Sequence, residues 1–557
     1  MLWNYWSLSE LQSYLSEFDC TLLDRLEGIL PALEIHDYDP TQLFLKKNMV
    51  KVIEAFAPSD CFRSKSFMRT CLDHLPPDEL AELAEAVGAG TDAETFDDRR
   101  EAIVAKNWSD QQFARSFIDH FHLADHFLAP EPAHIPHFED FTVPTADAPV
   151  QCGSAYKPLK DYQFHVYSDA LEKLGIERSR FIIQMPTGSG KTRTAMEFIT
   201  RFIDAAPPNV IVVWLAHSEE LCEQAFQCFK EVWVHVATRK LRAYRAWSNH
   251  SMPASYDLSM FIVGGFQKLH AEIKKFPEVF HALRSRVGLI VVDEAHKTIA
   301  PTYKRVIQNL INDTAHVVGL TATPGRTIIE ETHELAEFYF ADMVGINAPD
   351  NQSVTSMLRD RKILSKLIRE PIIASSTYKL TSAQRRRLEQ DFDFPRAFLD
   401  KVAEDDVRNI EIMKKLIREC EEGRNILFFA CSVKHSQFIT ALLIYFGYAA
   451  AHVDGSTDSA RRVEIIDHFK KGRIQVLSNY GVLSTGFDAP NTDVVFIARP
   501  TNSVVLYGQM IGRGLRGPAI GGTASCKLID VRDNIIGFGD QDRLYRYFED
   551  YWFDQFE

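Results

Sequence analysis

From about residue 159 onward, short apolar runs alternate with amphipathic segments, and this alternation constrains the fold more than any other feature of the 557-residue chain. The first runs are RFIIQM, NVIVVWLAH, FIVGGF, LIVVDEAH and HVVGLTAT. Short continuous apolar runs are typical of strands that are buried on both faces of a parallel sheet. Segments such as TRTAMEFITRFIDAA have the spacing of helices that cover such a sheet. We therefore predict an α/β domain at residues 159–345.

A second series of the same kind follows a more polar stretch at residues 346–420. Its runs are NILFFACS, IQVLSNY, DVVFIARP and KLIDVR. Strand and helix units that follow one another in this way build parallel sheets through right-handed crossovers. We predict a second α/β domain at 421–540, with 346–420 as a connecting or inserted segment.

The first quarter of the chain differs in both pattern and charge. Residues 1–127 have helical spacing, and Ser7 with Glu10 forms a capping-box pattern before LQSYLSEF. The chain carries 62 basic and 76 acidic residues, a net charge of −14; residues 1–150 hold 11 and 27 of them, which leaves 51 and 49 for the rest. A region with that excess of acid repels phosphates. We predict an acidic helical accessory domain at 1–127 that does not itself bind nucleic acid.

Two segments lack a clear period. Residues 128–158 contain six prolines and read as a linker, or as a strap that lies over a surface. Residues 541–557 form an aromatic and acidic C-terminal tail, which we expect to pack against the core or against a partner.

Composition indicates a cytoplasmic protein without a membrane partner. No stretch approaches the roughly 20 apolar residues of a membrane helix, and the start MLWNYWSLSELQ does not have the pattern of a signal peptide. The nine cysteines include no CxxC pair. Scattered cysteines of this kind are typical of reduced thiols in a cytoplasm.

The segment MPTGSGKT at 185–192 follows a predicted strand and opens a predicted helix, which is the context of a phosphate-binding loop. Small residues let backbone N–H groups approach phosphate oxygens at the helix N-terminus. Lys191 would reach the β- and γ-phosphates of ATP, and Thr192 would ligate Mg²⁺. Met185 departs from the strict pattern, which has glycine there, and an ordinary Gly/Ser turn is the alternative. The predicted ATP-binding residues of the loop are Thr187, Gly188, Ser189, Gly190, Lys191 and Thr192.

The acidic pair Asp293-Glu294 ends the predicted strand LIVVD about 100 residues later. Carboxylates at the carboxyl end of a parallel strand face the loops where nucleotides bind. In this Walker B arrangement, Asp293 holds Mg²⁺ and Glu294 polarises the attacking water. A solvated acidic turn is the alternative, which the placement of both motifs at strand ends disfavours.

Together with TAT at 321–323 and QMIGRGLR at 509–516, these motifs resemble the core of superfamily 2 DEAH-type helicases and translocases. The resemblance covers roughly residues 155–540, and the motifs stand in the order that the family has. It implies a nucleic-acid-dependent ATP hydrolase with two tandem RecA-like parallel-sheet domains, preceded by the acidic, mainly helical N-terminal domain. The sequences of its motifs are most similar to those in the helicase parts of type I and type III restriction enzymes and in excision-repair DNA helicases.

The resemblance also assigns roles to single residues. Gln163 is similar to the glutamine that reads adenine. In the family, the last motif faces the nucleotide from the second domain, which implies catalytic roles for Gln509, Arg513 and Arg516, with the two arginines as finger candidates. The residues expected to couple the nucleotide and nucleic-acid sites are His296, Thr321, Thr323, Gly486 and Asp488. The residues expected to contact nucleic acid are His217, Ser218, Gln267, Ser432, Arg462 and Thr485.

The wording TAT, GFDAP and GRGLR is closer to the DNA-acting branches than to RNA-acting DEAD-box proteins, which usually carry SAT and HRIGRTGR. The resemblance therefore implies a DNA helicase or translocase in DNA processing or phage defence. Because the apolar faces of the acidic N-terminal helices must be buried, we expect this domain to dock a protein partner or to cover the nucleic-acid track, unless it only stabilises the fold. Two alternatives to the DNA helicase stay open at this point. One is an RNA helicase, and the other is a non-motor nucleic-acid-binding subunit in which ATP acts only as a switch.

Overall fold

The computed structural model describes residues 2–18, 22–33, 45–56, 61–123, 127–128, 136–141, 156–253, 255–322, 329–349, 352–391, 393–457, 459–483 and 491–536. The predicted C-terminal tail and most of the predicted linker lie outside the described residues. None of the helices in the described ranges is long and apolar enough to cross a membrane.

The described part of the N-terminal region is helical, as predicted. Its α-helices are α1 (Leu8–Phe18), α2 (Leu22–Ala32), α3 (Lys46–Phe56), α4 (Lys65–Asp73), α5 (Pro77–Val87), α6 (Phe96–Ala105) and α7 (Gln111–Phe121). The predicted capping box is confirmed, because the Ser7 N–H donates to Glu10 Oε2 (2.7 Å) and the Glu10 N–H donates to Ser7 Oγ (3.3 Å). Side chains of Ser64, Thr95 and Asp110 cap α4, α6 and α7 in the same way.

The first sheet has eight strands, and all but one of its pairings are parallel. The strands are β1 (Phe138–Phe141), β2 (Arg180–Gln184), β3 (Ile211–Ala216), β4 (Leu241–Ala246), β5 (Met260–Gly265), β6 (Val287–Asp293), β7 (His316–Thr321) and β8 (Met343–Gly345), in the order β1-β4-β5-β3-β6-β7-β2-β8. Every residue of β3 and β5 is buried, which explains their unbroken apolar sequences.

Helices pack on both sides of this sheet. They are α8 (Asp161–Leu174), α9 (Lys191–Ala205), α10 (Glu219–Val236), α11 (Phe266–Lys275), α12 (Pro277–Arg284), α13 (Pro301–Leu310) and α14 (Ile329–Phe338). One cluster of buried residues lies between the sheet and helices α8 to α10, and another lies between the sheet and helices α11 to α14. This is the layered arrangement that the alternating pattern predicted.

Strand β1 comes from the segment for which the sequence predicted a linker or a strap over a surface. It pairs antiparallel with β4 at the edge of the sheet. Arg245 of β4 is buried and bonded to Glu139 Oε1 (2.8 Å) and to Glu223 Oε2 (3.1 Å), and it lies over the Phe226 ring. Because a buried guanidinium needs these partners, residues 136–141 belong structurally to the first domain.

The second sheet has seven strands, whose pairings are all parallel. The strands are β9 (Lys366–Arg369), β10 (Ile372–Lys379), β11 (Ile426–Phe429), β12 (Ala450–Val453), β13 (Val476–Asn479), β14 (Val494–Ile497) and β15 (Ser525–Ile536), in the order β10-β15-β14-β11-β13-β12, with β9 also on β15. The remaining helices are α15 (Val354–Asp360), α16 (Ser382–Asp391), α17 (Arg396–Ala403), α18 (Asp406–Glu421), α19 (Val433–Tyr445), α20 (Ser459–Lys470) and α21 (Val504–Ile511). Segment 346–420 therefore contributes two strands to this sheet as well as connecting the domains.

The N-terminal helices share a hydrophobic core with the second domain. Buried residues of α2 and α3, such as Ile53, belong to the same cluster as Ile412 of α18 and Phe438 of α19. Arg25 of α2 pairs with Asp406 at 2.9 Å, and its guanidinium lies 4.1 Å from the centre of the Phe438 ring. The apolar faces of these acidic helices are thus covered in part by the chain itself.

We expect Arg25→Ala to destabilise the protein by about 1–2 kcal/mol, because it removes a cation–π contact and a partly buried ion pair. Arg115→Ala is the matched control, since Arg115 pairs with Asp119 on the exposed surface of α7 at 3.7 Å, where such pairs contribute little. Urea denaturation of both variants measures the difference. Equal unfolding midpoints would contradict a docking role for Arg25.

Candidate functional site: a nucleotide cleft between two domains

The predicted phosphate loop connects β2 to the N-terminus of α9. Gly188 and Gly190 have φ angles of +84° and +89°, which side chains of L-residues rarely adopt. Helix α9 begins at Lys191, and Thr192 follows in its first turn. The loop therefore has the backbone turns and the helix N-terminus that a phosphate group requires.

Two residues of α8 support this loop from one side. Tyr162 Oη donates to the Ser189 carbonyl at 2.8 Å, and Gln163 Nε2 lies 3.4 Å from the carbonyls of Ser189 and Gly190. A Cβ atom at position 190 would lie 2.4 Å from Gln163 Nε2, so a side chain there would push the Gln163 amide away from the loop. The structure thus brings Gln163 to the loop, whereas its contact with adenine stays a prediction. Sequence reasoning missed Tyr162, although it stands next to Gln163.

The acidic pair lies directly opposite the loop lysine. Lys191 Nζ is 3.8 Å from Asp293 Oδ1 and 3.9 Å from Glu294 Oε1, and all three side chains are largely buried. Glu294 has a φ of +54°, a left-handed conformation that is costly for a residue with a side chain. Such strain persists only where the surroundings enforce it, and it is common at catalytic sites.

Burial is the main electrostatic influence on this pair. It raises the pKa of Asp293 to about 6; the charge of Lys191 opposes this rise, and that of Glu294 adds to it. Burial also works to raise the pKa of Glu294, but the positive charges of Lys191, His296 and Lys297 outweigh it and hold that pKa low. The Asp293 carboxylate and the Thr192 hydroxyl are oxygen donors of the kind that Mg²⁺ prefers, so these two residues would hold a divalent cation that neutralises phosphate charge.

Two histidines surround Glu294 on the side away from the loop. His296 Nδ1 lies 3.4 Å from Glu294 Oε2. His217, which follows β3, is mostly buried, and this burial, with the charge of Lys297, lowers its pKa to about 4. The sequence predicted His217 as a nucleic-acid contact and His296 as a coupling residue, and the structure brings both to the acidic group of the nucleotide site.

The second domain approaches the phosphate loop through the motif at 509–516. A Cβ atom on Gly512 would lie 2.3 Å from Thr187 Cγ2, and one on Gly188 would lie 3.7 Å from the Leu515 carbonyl oxygen. Arg513 Nε donates to the Gln509 carbonyl at 3.2 Å. The structure thus places this motif on the phosphate loop, where the predicted finger arginines belong.

Residues 361–365, which sequence reasoning missed, join the two sides of this cleft. Arg361 pairs with Asp161 of α8 at 2.6 Å. Ser365 Oγ contacts the Arg516 carbonyl at 2.5 Å, and the Ser365 N–H donates to the Leu515 carbonyl at 2.9 Å. The sequence RKILS carries no motif that indicates this position.

The other predicted site residues occupy various positions. Ser218 and Ser432 are the N-caps of α10 and α19, and Gln267 lies exposed in the first turn of α11. Thr321 is buried at the end of β7, and its carbonyl accepts from the Met185 N–H at 3.1 Å. The predicted residues Thr323, Thr485, Gly486 and Asp488 lie outside the described residues.

A phosphate loop opposite an acidic strand end, with a second parallel-sheet domain on the loop, places the protein among two-domain P-loop nucleotide hydrolases. Comparison with known families extends this assignment. Residues 156–326 match the family "Type III restriction enzyme, res subunit", and residues 408–517 match "Helicase conserved C-terminal domain". The chain belongs to superfamily 2 of the helicases, a family of ATP-dependent enzymes.

Individual relatives are distant. The chain is 24% identical to a putative ATP-dependent helicase IRC3 of Saccharomyces cerevisiae, over 69% of this chain and 55% of that protein. It is 25% identical to a 51.5 kDa protein of a Lactococcus phage, over 60% of this chain and 62% of the relative. The chain thus spans little more than half the length of these curated relatives.

Solved structures share this similarity at low identity. A type ISP restriction-modification enzyme, LlaBIII, bound to DNA has a TM-score of 0.47 at 17% identity, over 70% of this chain and 28% of that one. Dbp5 of S. cerevisiae bound to RNA and ADP BeF3 has a TM-score of 0.46 at 14% identity, over 74% of this chain and 95% of that one.

We expect Gly512→Ala to lower ATP turnover on the order of 100-fold, because the added methyl group displaces the second domain from Thr187, and displacements of about 1 Å have effects of this size. Gly28→Ala is the control, since no atom lies within 4 Å of the added Cβ there. Steady-state ATPase rates and thermal melting of both variants test this. A Gly512→Ala enzyme with normal turnover would show that this approach is not needed for hydrolysis.

Proposed function

We propose that the protein is an ATP- and Mg²⁺-dependent DNA helicase or translocase. The observation that carries this proposal is the contact of Gly512 in the second domain with Thr187 of the phosphate loop. A nucleotide bound at such a junction makes hydrolysis depend on domain closure, and a cycle of closure and opening is what a motor requires. A subunit that used ATP only as a switch, which is the second alternative, does not need the water-orienting Glu294 and the arginines of the second domain together.

Each residue of the nucleotide cleft has a distinct role in ATP hydrolysis. Backbone N–H groups of residues 188–190 and the ammonium group of Lys191 hold the phosphates, and Thr192 and Asp293 would hold Mg²⁺, which neutralises phosphate charge when bound. Glu294 orients the attacking water and accepts its proton. Arg513 and Arg516 stabilise the charge that develops on the transferred phosphoryl group once the domains close.

The choice of DNA rests on the sequences of the motifs TAT, GFDAP and GRGLR and on the restriction-enzyme family that matches the first domain. RNA helicases named DBP3 are also relatives, at 22–24% identity over 41% of this chain for three yeasts, so an RNA helicase remains the runner-up. Residues 151–557 carry a charge of only about +2, and the strand must therefore be held by local groups and backbone amides.

The cellular setting is also part of the proposal. No disulfide bond links any of the seven described cysteines, which is compatible with the predicted cytoplasmic location. Partner subunits in DNA processing or phage defence would supply any cleavage activity. A partner that docks on the N-terminal domain would use the surface that α18 and α19 leave uncovered.

We expect Lys191→Ala and Glu294→Gln to lower ATP turnover by orders of magnitude, because one removes the cation on the phosphates and the other the group that orients water. Glu294→Gln should still bind ATP. Glu231→Gln, on the exposed surface of α10, is the control. Near-normal hydrolysis by either site variant would contradict the catalytic assignment.

We expect DNA to stimulate ATP hydrolysis in a salt-sensitive way, since the contacts are mainly to phosphates. ATPase rates with single-stranded DNA, duplex DNA and RNA, each added separately, measure this. Stimulation by RNA but not by DNA would favour the RNA helicase, and binding without stimulation would favour the switch.

A further inference from the structure

The side chain of Arg462 spans the two domains. It belongs to α20 of the second domain, and its Nη1 pairs with Glu220 Oε1 in the first turn of α10 in the first domain. Its Nη2 donates to the carbonyls of Asp454 (3.1 Å) and Thr457 (3.0 Å). The side chain is only 11% exposed; its two Nη atoms have these partners, whereas its buried Nε has no partner among the described residues.

The turn that holds Arg462 is fixed by one carboxylate. Asp454 Oδ1 accepts from the N–H groups of Ser456 (2.7 Å) and Thr457 (3.1 Å), and from Ser456 Oγ (2.6 Å). A hydrogen bond from His452 is the main influence that holds the pKa of Asp454 well below its usual range. These hydrogen bonds fix the turn whose carbonyls receive the guanidinium.

A chain of hydrogen bonds connects this turn to β13 of the second sheet. His452 Nε2 lies 3.2 Å from Asp454 Oδ2, and His452 Nδ1 lies 2.6 Å from Ser436 Oγ. Ser436 Oγ in turn lies 2.6 Å from Ser478 Oγ of β13, and both serines are fully buried. Buried networks with satisfied partners are rigid, so this network fixes the turn that binds Arg462 relative to the core of the second domain.

The other end of the pair leads to the nucleotide site. Glu220 lies three residues after His217, whose pKa the charge of Glu294 influences. Ser218 caps the helix that begins between them. A change in the position of Glu220 would therefore act on the N-terminus of α10, beside the water-orienting carboxylate of Glu294.

We infer that Arg462 is a positioning residue that clasps Glu220 across the domain cleft and holds the closed form during hydrolysis. This assigns its guanidinium to the first domain, in place of the phosphate contact that the sequence predicted. The role in hydrolysis rests on the proposed function, whereas the clasp itself does not.

A double-mutant cycle on the full chain tests the clasp. Arg462→Gln and Glu220→Gln should each lower the nucleic-acid-stimulated kcat about tenfold, and the double variant should lose about tenfold rather than 100-fold, because both remove one interaction. Arg462→Lys should recover part of the loss, since it keeps a charge. Arg461→Gln is the control, because Arg461 pairs with Glu464 on its own helix.

Two further measurements distinguish a clasp between Arg462 and Glu220 from a contact between Arg462 and a phosphate. Fluorescence energy transfer between labels on the two domains, with a non-hydrolysable ATP analogue, should show a smaller closed fraction in both single variants and an unchanged one in Arg461→Gln. The salt dependence of oligothymidylate and oligouridylate binding should keep its slope in Arg462→Gln, whereas loss of a phosphate contact would reduce it by about one.

The outcomes are distinguishable. Loss of the closed fraction in an enzyme that no nucleic acid stimulates would overturn the proposed function and leave the clasp in place. Single variants that close like Arg461→Gln would overturn the clasp. A reduced salt slope in Arg462→Gln, with Glu220→Gln fully active, would overturn it as well and restore the phosphate contact.

Discussion

Three buried charged groups, the ammonium of Lys191 and the carboxylates of Asp293 and Glu294, set the main constraint on this structure. Each carboxylate lies within 4 Å of the ammonium and is mostly removed from water, where an isolated charge is strongly unfavourable. The constraint is met only because β2 and β6 end at the same edge of one sheet, with β7 between them. The order of the parallel strands in the first domain therefore positions the charged groups of the site as well as burying the core.

The same site depends on the second domain for completion. Glycine at 512 lets the second domain reach Thr187, and residues 361–365 hold Arg516 by its backbone while Arg361 contacts α8. These contacts are short-range, so they require the two domains to lie close together at the phosphate loop. A nucleotide in the cleft thus affects both domains through groups that the phosphate loop already touches.

The sequence predicted the strands and motifs whose signal is local. Strands such as β3 and β6 are continuous apolar runs because both of their faces are buried. Strand β4 was missed because its sequence, LRAYRA, alternates with arginines, and the partners of those arginines come from β1 about 100 residues earlier. Pairing of that kind depends on tertiary contacts, which no periodicity within the strand can indicate.

In the candidate site, too, features with a local sequence signal could be predicted and features that depend on tertiary contacts could not. The phosphate loop and the acidic strand end could be identified because each motif carries its own chemistry at fixed spacing. The contact of Gly512 with Thr187 joins positions more than 300 residues apart, so only the resemblance to the family implied it. The motif that contains Arg462 could be identified from the sequence. That Arg462 faces the carboxylate of Glu220 could not.

The N-terminal helices share a core with α18 and α19 of the second domain, so they are attached to that domain. By contrast, Glu139 and Asp140 of the same acidic region belong to β1 of the first domain. The proline-rich pattern of residues 128–158 predicts that a chain starting near Tyr156 folds alone, because few buried hydrogen bonds should cross such a segment. The structure argues against this: such a chain would lose β1 and its Glu139 partner for Arg245, and would expose the apolar faces around Ile412 and Phe438. The N-terminal helices are therefore part of the folded unit that contains the second sheet, and their removal would affect the hydrophobic core as well as the surface charge.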